Sequence, residues 1–180
     1  MVSCSSNITK NNNINQSLIG EIARKMAGEK QDILSAMPPE QRSRLLGDIV
    51  TLMTQSPTHL NYKIQHFSSV VLPPVQLNQY RIYHDAKKRP VGFVSWAMLS
   101  KEAEGKFLNH TTPLTLEEWA SGDIMYIMEF IVPFGHAQKV VADMKKQFPK
   151  RKAHAVRYDT TGKNGKVIST FYGEGRERNI

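Results

Sequence analysis

A single mixed α/β domain, built as helices around one mostly antiparallel sheet, is the fold class this sequence predicts. Three observations carry it. Helix-period segments come first and strand-like runs follow. A nine-residue apolar run, Ile124 to Val132, reads as a strand buried on both faces. At 180 residues, with 40% hydrophobic and 22% charged side chains, the chain can bury a core in one domain without staples.

Residues 1–16 are polar and asparagine-rich and read as a disordered leader with no secretory h-region. Residues 17–44 read as a helical extension, with Leu18, Ile19, Ile22 and Met26 at helical spacing. Pro38-Pro39-Glu40 opens a stronger helix, because proline suits a first turn and an acid suits its dipole. Its stripe is Leu45, Leu46, Ile49, Val50 and Met53, and Ser56-Pro57 stops it. The apolar run Val70 to Leu72 is read as ending at Pro73-Pro74.

Gln79 to Tyr83 and Val91 to Met98 form a strand pair joined at Lys87 to Pro90. Glu102 to Asn109 is a short helix. Thr115 and Glu118 have the spacing of a capping box, and Ser121-Gly122-Asp123 is a turn. After the central strand come Pro133-Phe134-Gly135, a helix over His136 to Phe148, and strands over Ala153 to Tyr158 and Val167 to Tyr172. The main domain therefore runs over residues 45–180.

Charge is lopsided. Residues 1–135 hold 13 basic and 12 acidic side chains, whereas residues 136–180 hold 11 and 4, so nearly all of the +8 sits in the last quarter. Such a field suits a polyanionic partner, or else is an ordinary solvated face. The lysines have no aromatic platform beyond Phe148, which argues against single-stranded nucleic acid. The single cysteine, Cys4, excludes a disulfide framework, and six histidines without ligand spacing predict no metal site. No run reaches the roughly 20 apolar residues of a membrane helix.

Glu129 interrupts the apolar run IMYIM…FIV, where a carboxylate rarely sits unpaired. It is either a functional acid or a structural one facing an Arg or water. His59 follows a helix end and is the matching base in kind, although a loop histidine is often merely solvated. Ser56 reads first as a helix-end hydroxyl, and second as a nucleophile or hydrogen-bonding aid.

Eight strings occur in order: Ser56-Pro-Thr-His59, Gln79-Tyr80, Ser95-Trp96-Ala97, Lys106-Phe-Leu-Asn109, Ser121-Gly122-Asp123, Ile131-Val-Pro-Phe-Gly135, Val156-Arg157 and Gly165-Lys-Val167. Together they resemble the RTX toxin-activating lysine acyltransferases over roughly Leu46 to Gly173. The resemblance implies a GNAT-like fold in a cytoplasmic, dimeric enzyme. That enzyme would move a fatty acyl group from acyl carrier protein to internal lysines of an RTX protoxin, with no bound cofactor. It implies His59 as base, Glu129 as the acid where the family usually has aspartate, and Ser56 as auxiliary. Trp96, Gly122, Arg157, Lys145, Lys146, Lys150, Arg151 and Lys152 are the expected donor- and substrate-binding residues. The sequence departs from the family at Leu60, where arginine is common, and at Phe107, which matches a tyrosine. It also departs in its N-terminal extension and short C-terminal end. A toxin-specific chaperone that has lost catalysis and a basic nucleic-acid-binding domain are the competing classes.

Overall fold

The computed structural model describes residues 33–109, 112–158 and 166–175. The expected Leu18–Met26 helix, Cys4 and most of the polar 159–166 loop lie outside them. Five strands make one sheet in sequence order: β1 (Tyr80–His84), β2 (Pro90–Leu99), β3 (Ile124–Ile131), β4 (Lys152–Tyr158) and β5 (Lys166–Tyr172). All neighbours are antiparallel except β3 and β4. This is the mixed α/β architecture the sequence predicts, and it is consistent with the GNAT-like fold that the resemblance implies.

Helix α1 spans Ile33–Ala36 and helix α2 spans Pro39–Thr54, with Pro39 and Glu40 in the first turn of α2. The inward stripe of α2 is Leu45, Ile49, Leu52 and Met53, while Val50 is exposed. The stripe packs on Tyr80, Phe93 and Ile131 of the sheet, and Leu34 and Met37 reach the same cluster. Burying each such side chain stabilises by about 1.5–3 kcal/mol. Helix α4 (Lys101–Asn109) and Trp119 cover the same sheet face further along, over Ala97, Leu99 and Tyr126. Helix α5 (Ala137–Gln147), which links β3 to β4, covers the opposite face, with Val140 and Met144 against Val94, Trp96 and Met125.

Three local expectations are corrected. The run Val70 to Leu72 does not end at the prolines. A helical segment, α3, continues through Ile64–His66, a π-helical turn at Phe67–Val71, and Leu72–Gln76. Pro73 and Pro74 have no N–H to give the preceding turn, and the widened turn lies just before them. Thr115 and Glu118 do form reciprocal bonds, Thr115 N–H to Glu118 Oε2 (2.7 Å) and Glu118 N–H to Thr115 Oγ1 (3.3 Å). They cap only a turn, because the chain at Gly122 is drawn back to β2 by Gly122 N–H to Met98 O (3.0 Å). The central strand β3 is not covered throughout: Phe130 is 39% exposed. Its ladder to β4 runs only from Met125 to Ile127, so that neighbour has gone by Phe130.

Candidate active site

Helix α2 delivers the chain to a coiled loop at its C-terminal end. Ser56 N–H bonds back to Met53 O (3.1 Å), and Ser56 O accepts from the backbone N–H of His59 (2.9 Å) and Leu60 (3.1 Å). Tyr62 N–H then bonds to His59 O (3.0 Å). These short-range bonds coil the segment so that Ser56, His59 and Tyr62 come together, roughly one turn apart.

Strand β3 supplies the acid through an irregularity. Ser95 lies opposite Glu129, but Trp96 lies opposite Ile127, so Met128 is an extra residue on β3. Directly opposed residues share a sheet face. Ile127 and Met125 pair with Trp96 and Met98, on the α5 side. Strict alternation would carry Glu129 to that side as well. The bulge reverses the parity, so that Glu129 and Ile131 share the α2 face with Ser95 and Phe93.

There the side chains meet. Ser56 Oγ is 2.6 Å from His59 Nδ1, and His59 Nε2 is 2.9 Å from Glu129 Oε2. Tyr62 OH donates to Glu129 Oε1 at 3.3 Å, and its ring tilts against the His59 ring with centroids 4.9 Å apart. His59 and Glu129 are only 8% and 6% exposed, whereas Ser56 is half-buried. An ionised carboxylate only accepts, so Nε2 carries the proton it shares with Glu129. Nδ1 is then the basic nitrogen and accepts from the Ser56 hydroxyl. Acid, imidazole and hydroxyl stand in the order that proton transfer requires, and the hydroxyl is the member nearest solvent.

The other expected residues are placed elsewhere. Trp96 is buried on the α5 face, edge-on to Phe148 at 5.0 Å. Gly122 is a backbone crossing, because a Cβ there would meet Leu99 O at 2.5 Å. Lys145 and Lys146 occupy the last turn of α5 and are exposed. Lys150, Arg151 and Lys152 line a pocket of about 440 Å³ with Lys101, Asp123 and His154. The parallel register puts Lys152 level with Ile124. That is about 13 Å along the ladder from Glu129, four β2 positions from Leu99 to Ser95 at roughly 3.3 Å each. Arg157 lies on β4 opposite Val167, and its side chain is outside the described residues. Leu60 is exposed beside His59, and Phe107 packs edge-on to Tyr126 at 5.3 Å.

Sequence reasoning missed Tyr62 and Ser95. Tyr62 was detectable as the aromatic three residues after His59 in a loop bounded by a helix end. Ser95 is fully buried, and its Oγ has no hydrogen-bond partner among the described residues. Only the register shows that it faces Glu129. Among the described residues no cluster of three or more His, Cys, Asp or Glu is placed to hold a metal ion. Among them, too, no helix is long and apolar enough to cross a membrane.

The sequence model of the RTX toxin acyltransferase family matches residues 38–172, a span that includes all four side chains of the hydrogen-bonded group. The protein-lysine myristoyltransferase HlyC of Escherichia coli is 40% identical, over 72% of this chain and 75% of its own length. The protein-lysine myristoyltransferase RtxC of Kingella kingae is 39% identical, over 71% and 75%. An uncharacterised Synechocystis protein, sll0720, is 36% identical over 74% of this chain and 92% of its own. With three quarters of its length matched and its buried histidine–acid pair inside the match, this chain belongs to the RTX toxin acyltransferase family.

Proposed function

We propose that this protein is a protein-lysine fatty acyltransferase that activates an RTX protoxin, taking its acyl group from acyl carrier protein in the cytoplasm and working as a homodimer. The observation that carries the reading is the buried His59–Glu129 pair, with Ser56 on the free face of the imidazole. Relatives named as lysine myristoyltransferases and as a leukotoxin-activating lysine acyltransferase support the substrate class. The exposed lysines of α5 and of the turn after it support an acidic carrier as donor. The acyltransferase domain is taken as residues 45–180, from the first buried side chain of α2, with residues 17–44 as an extension and 1–16 as a leader.

A lysine ε-amine has a pKa near 10.4, so at pH 7 only about one in a few thousand is neutral, a deficit of roughly 4–5 kcal/mol. A base that takes the proton as the amine attacks removes part of that burden. In this mechanism the amine nitrogen bonds to the thioester carbonyl carbon. Its proton passes through the Ser56 hydroxyl to His59 Nδ1. Glu129 stabilises the resulting imidazolium through Nε2–H. The C–S bond then breaks, and the departing thiolate recovers the proton from the imidazolium, leaving an amide and a free thiol.

The 2.6 Å contact and the accessibility of Ser56 also favour a second route, in which Ser56 Oγ itself takes the acyl group before the lysine does. Single-turnover mixing with acyl donor but no protoxin separates the two, since only the second releases free thiol. The overall reading is tested by intact-mass analysis of protoxin co-expressed with this protein. Acylated lysines are expected with the wild type and none with His59→Gln. Unmodified protoxin with the wild type would leave the chaperone class standing.

A further inference from the structure

We infer that Tyr62 is a positioning residue of this site, locking the Glu129 carboxylate by its second oxygen and the His59 ring by its face. The inference rests on the reading of His59 and Glu129 as the catalytic pair. It concerns a residue that the family strings do not include.

A glutamate side chain has three rotatable bonds, and one hydrogen bond leaves its carboxylate free to swing about the bonded oxygen. Oε2 is committed to His59, so rotation is stopped only by a contact at Oε1. The Tyr62 hydroxyl makes that contact at 3.3 Å. The same ring lies 4.9 Å from the His59 ring, tilted by 55°, so one side chain restrains both partners. Tyr62 is itself held. Its N–H is tied to His59 O, its ring meets His66 at 5.4 Å, and it packs against the α2 cluster. On the sheet side Ser95 faces Glu129 across the antiparallel pair, where Cβ atoms stand roughly 4.5–5.5 Å apart. The carboxylate therefore sits between two hydroxyls, one already donating and one with no partner among the described residues. The reach to Tyr62 needs the full length of glutamate: a shorter acid still bonded to His59 would withdraw Oε1 from the tyrosine hydroxyl.

A double-mutant cycle tests this. Tyr62→Phe, Glu129→Asp and the double variant are compared for kcat on protoxin with saturating acyl donor, alongside KM for both substrates and a thermal melt. Tyr62→Phe keeps the ring and loses only the hydroxyl. Its kcat is expected to fall about tenfold, with both KM values unchanged and the melt within about 2 °C of wild type. In the Glu129→Asp background the same change is expected to do nothing, because the contact is already broken. Wild-type kcat for Tyr62→Phe, or losses that multiply in the double variant, would overturn the inference. His59→Gln run alongside separates the two levels. Activity in that variant would sink the catalytic pair itself, while an inactive His59→Gln beside a fully active Tyr62→Phe would sink the role of Tyr62 alone.

Discussion

Ser95 and Glu129 stand directly opposite each other on β2 and β3, and the pairing slips by one residue immediately beyond them. That slip is why a carboxylate lying in an apolar strand faces His59 and not helix α5. Deleting Met128 makes Glu129 follow Ile127 directly, so regular alternation alone should keep the acid opposite Ser95 on the α2 face, and acyl transfer should survive the loss of the bulge. Met128→Ala keeps the residue count and should retain most activity. Its cost should be about 1–3 kcal/mol of stability, since Met128 is only partly buried. Turnover and a denaturant titration of each variant read the outcome. A folded but inactive deletion variant would mean that the bulge does more than set the face of the acid.

Glu129→Gln should lose one to several orders of magnitude in kcat, and Glu129→Asp less. Gln can still accept from Tyr62 through its carbonyl, which turns its NH2 toward His59 Nε2. That nitrogen must then accept, so the proton moves to Nδ1, and the imidazole can no longer take one from Ser56. Stability should go the opposite way. A neutral amide is cheaper to bury than a carboxylate, so Gln is expected to melt at or above wild type. Retention of most activity by Gln would reduce Glu129 to a structural acid.

Steering by the basic quarter should appear as salt dependence. Lys145, Lys146, Lys150, Arg151 and Lys152 are all exposed, and exposed charges are screened beyond about 8 Å at physiological ionic strength. KM for acyl carrier protein should rise steeply with salt. Reversing these five charges should raise it further while changing kcat little, as expected for groups that take no part in the Ser56–His59–Glu129 hydrogen bonds. A KM that stays flat from low to high salt would make them an ordinary solvated face.

His154 should make the fold acid-sensitive. Burial and then the Lys152 charge push its pKa below the ordinary histidine value, against an opposing pull from Glu104, with Lys101 adding to the lowering. The folded state thus binds its proton less readily than the unfolded chain. Stability is full above about pH 6.5 and is lost as pH falls from there through the depressed folded pKa. Wild type should lose a few degrees of melting temperature between pH 7 and pH 5, and His154→Gln should lose less. Parallel melting curves for the two proteins would remove His154 from the account.

Much of this was legible in the sequence because it depends on local chemistry. Pro39 and Glu40 mark the start of α2, the hairpin follows from two strand-like runs around Lys87 to Pro90, and Glu129 stands out as one acid among apolar neighbours. The parity of β3 was not legible, because an all-apolar run carries no alternation from which a bulge could be seen. The continuation of α3 past Pro73-Pro74 was hidden because prolines read as stops, whereas here they occupy the first turn of a helical stretch that follows directly on the π turn. The capping bonds of Thr115 and Glu118 were readable, but the absence of a helix behind them was decided by the distant backbone of β2. The Tyr62–Glu129 contact joins residues 67 apart in the chain, and nothing local announces it.

Gly122 and Gly173 show how a mutational scan of this protein would mislead. A Cβ at residue 122 would fall 2.5 Å from Leu99 O, and one at residue 173 would fall 1.9 Å from Phe148 O, both against backbone that has no rotamer to yield. Substitutions at either glycine should silence the protein in any screen for toxin activation, as thoroughly as a change at His59. The silence would come from misfolded chain, and soluble yield would separate the two kinds of inactive clone. Ranked by lost activity alone, the glycines would join the histidine in one class, although neither holds a side chain that could touch a substrate.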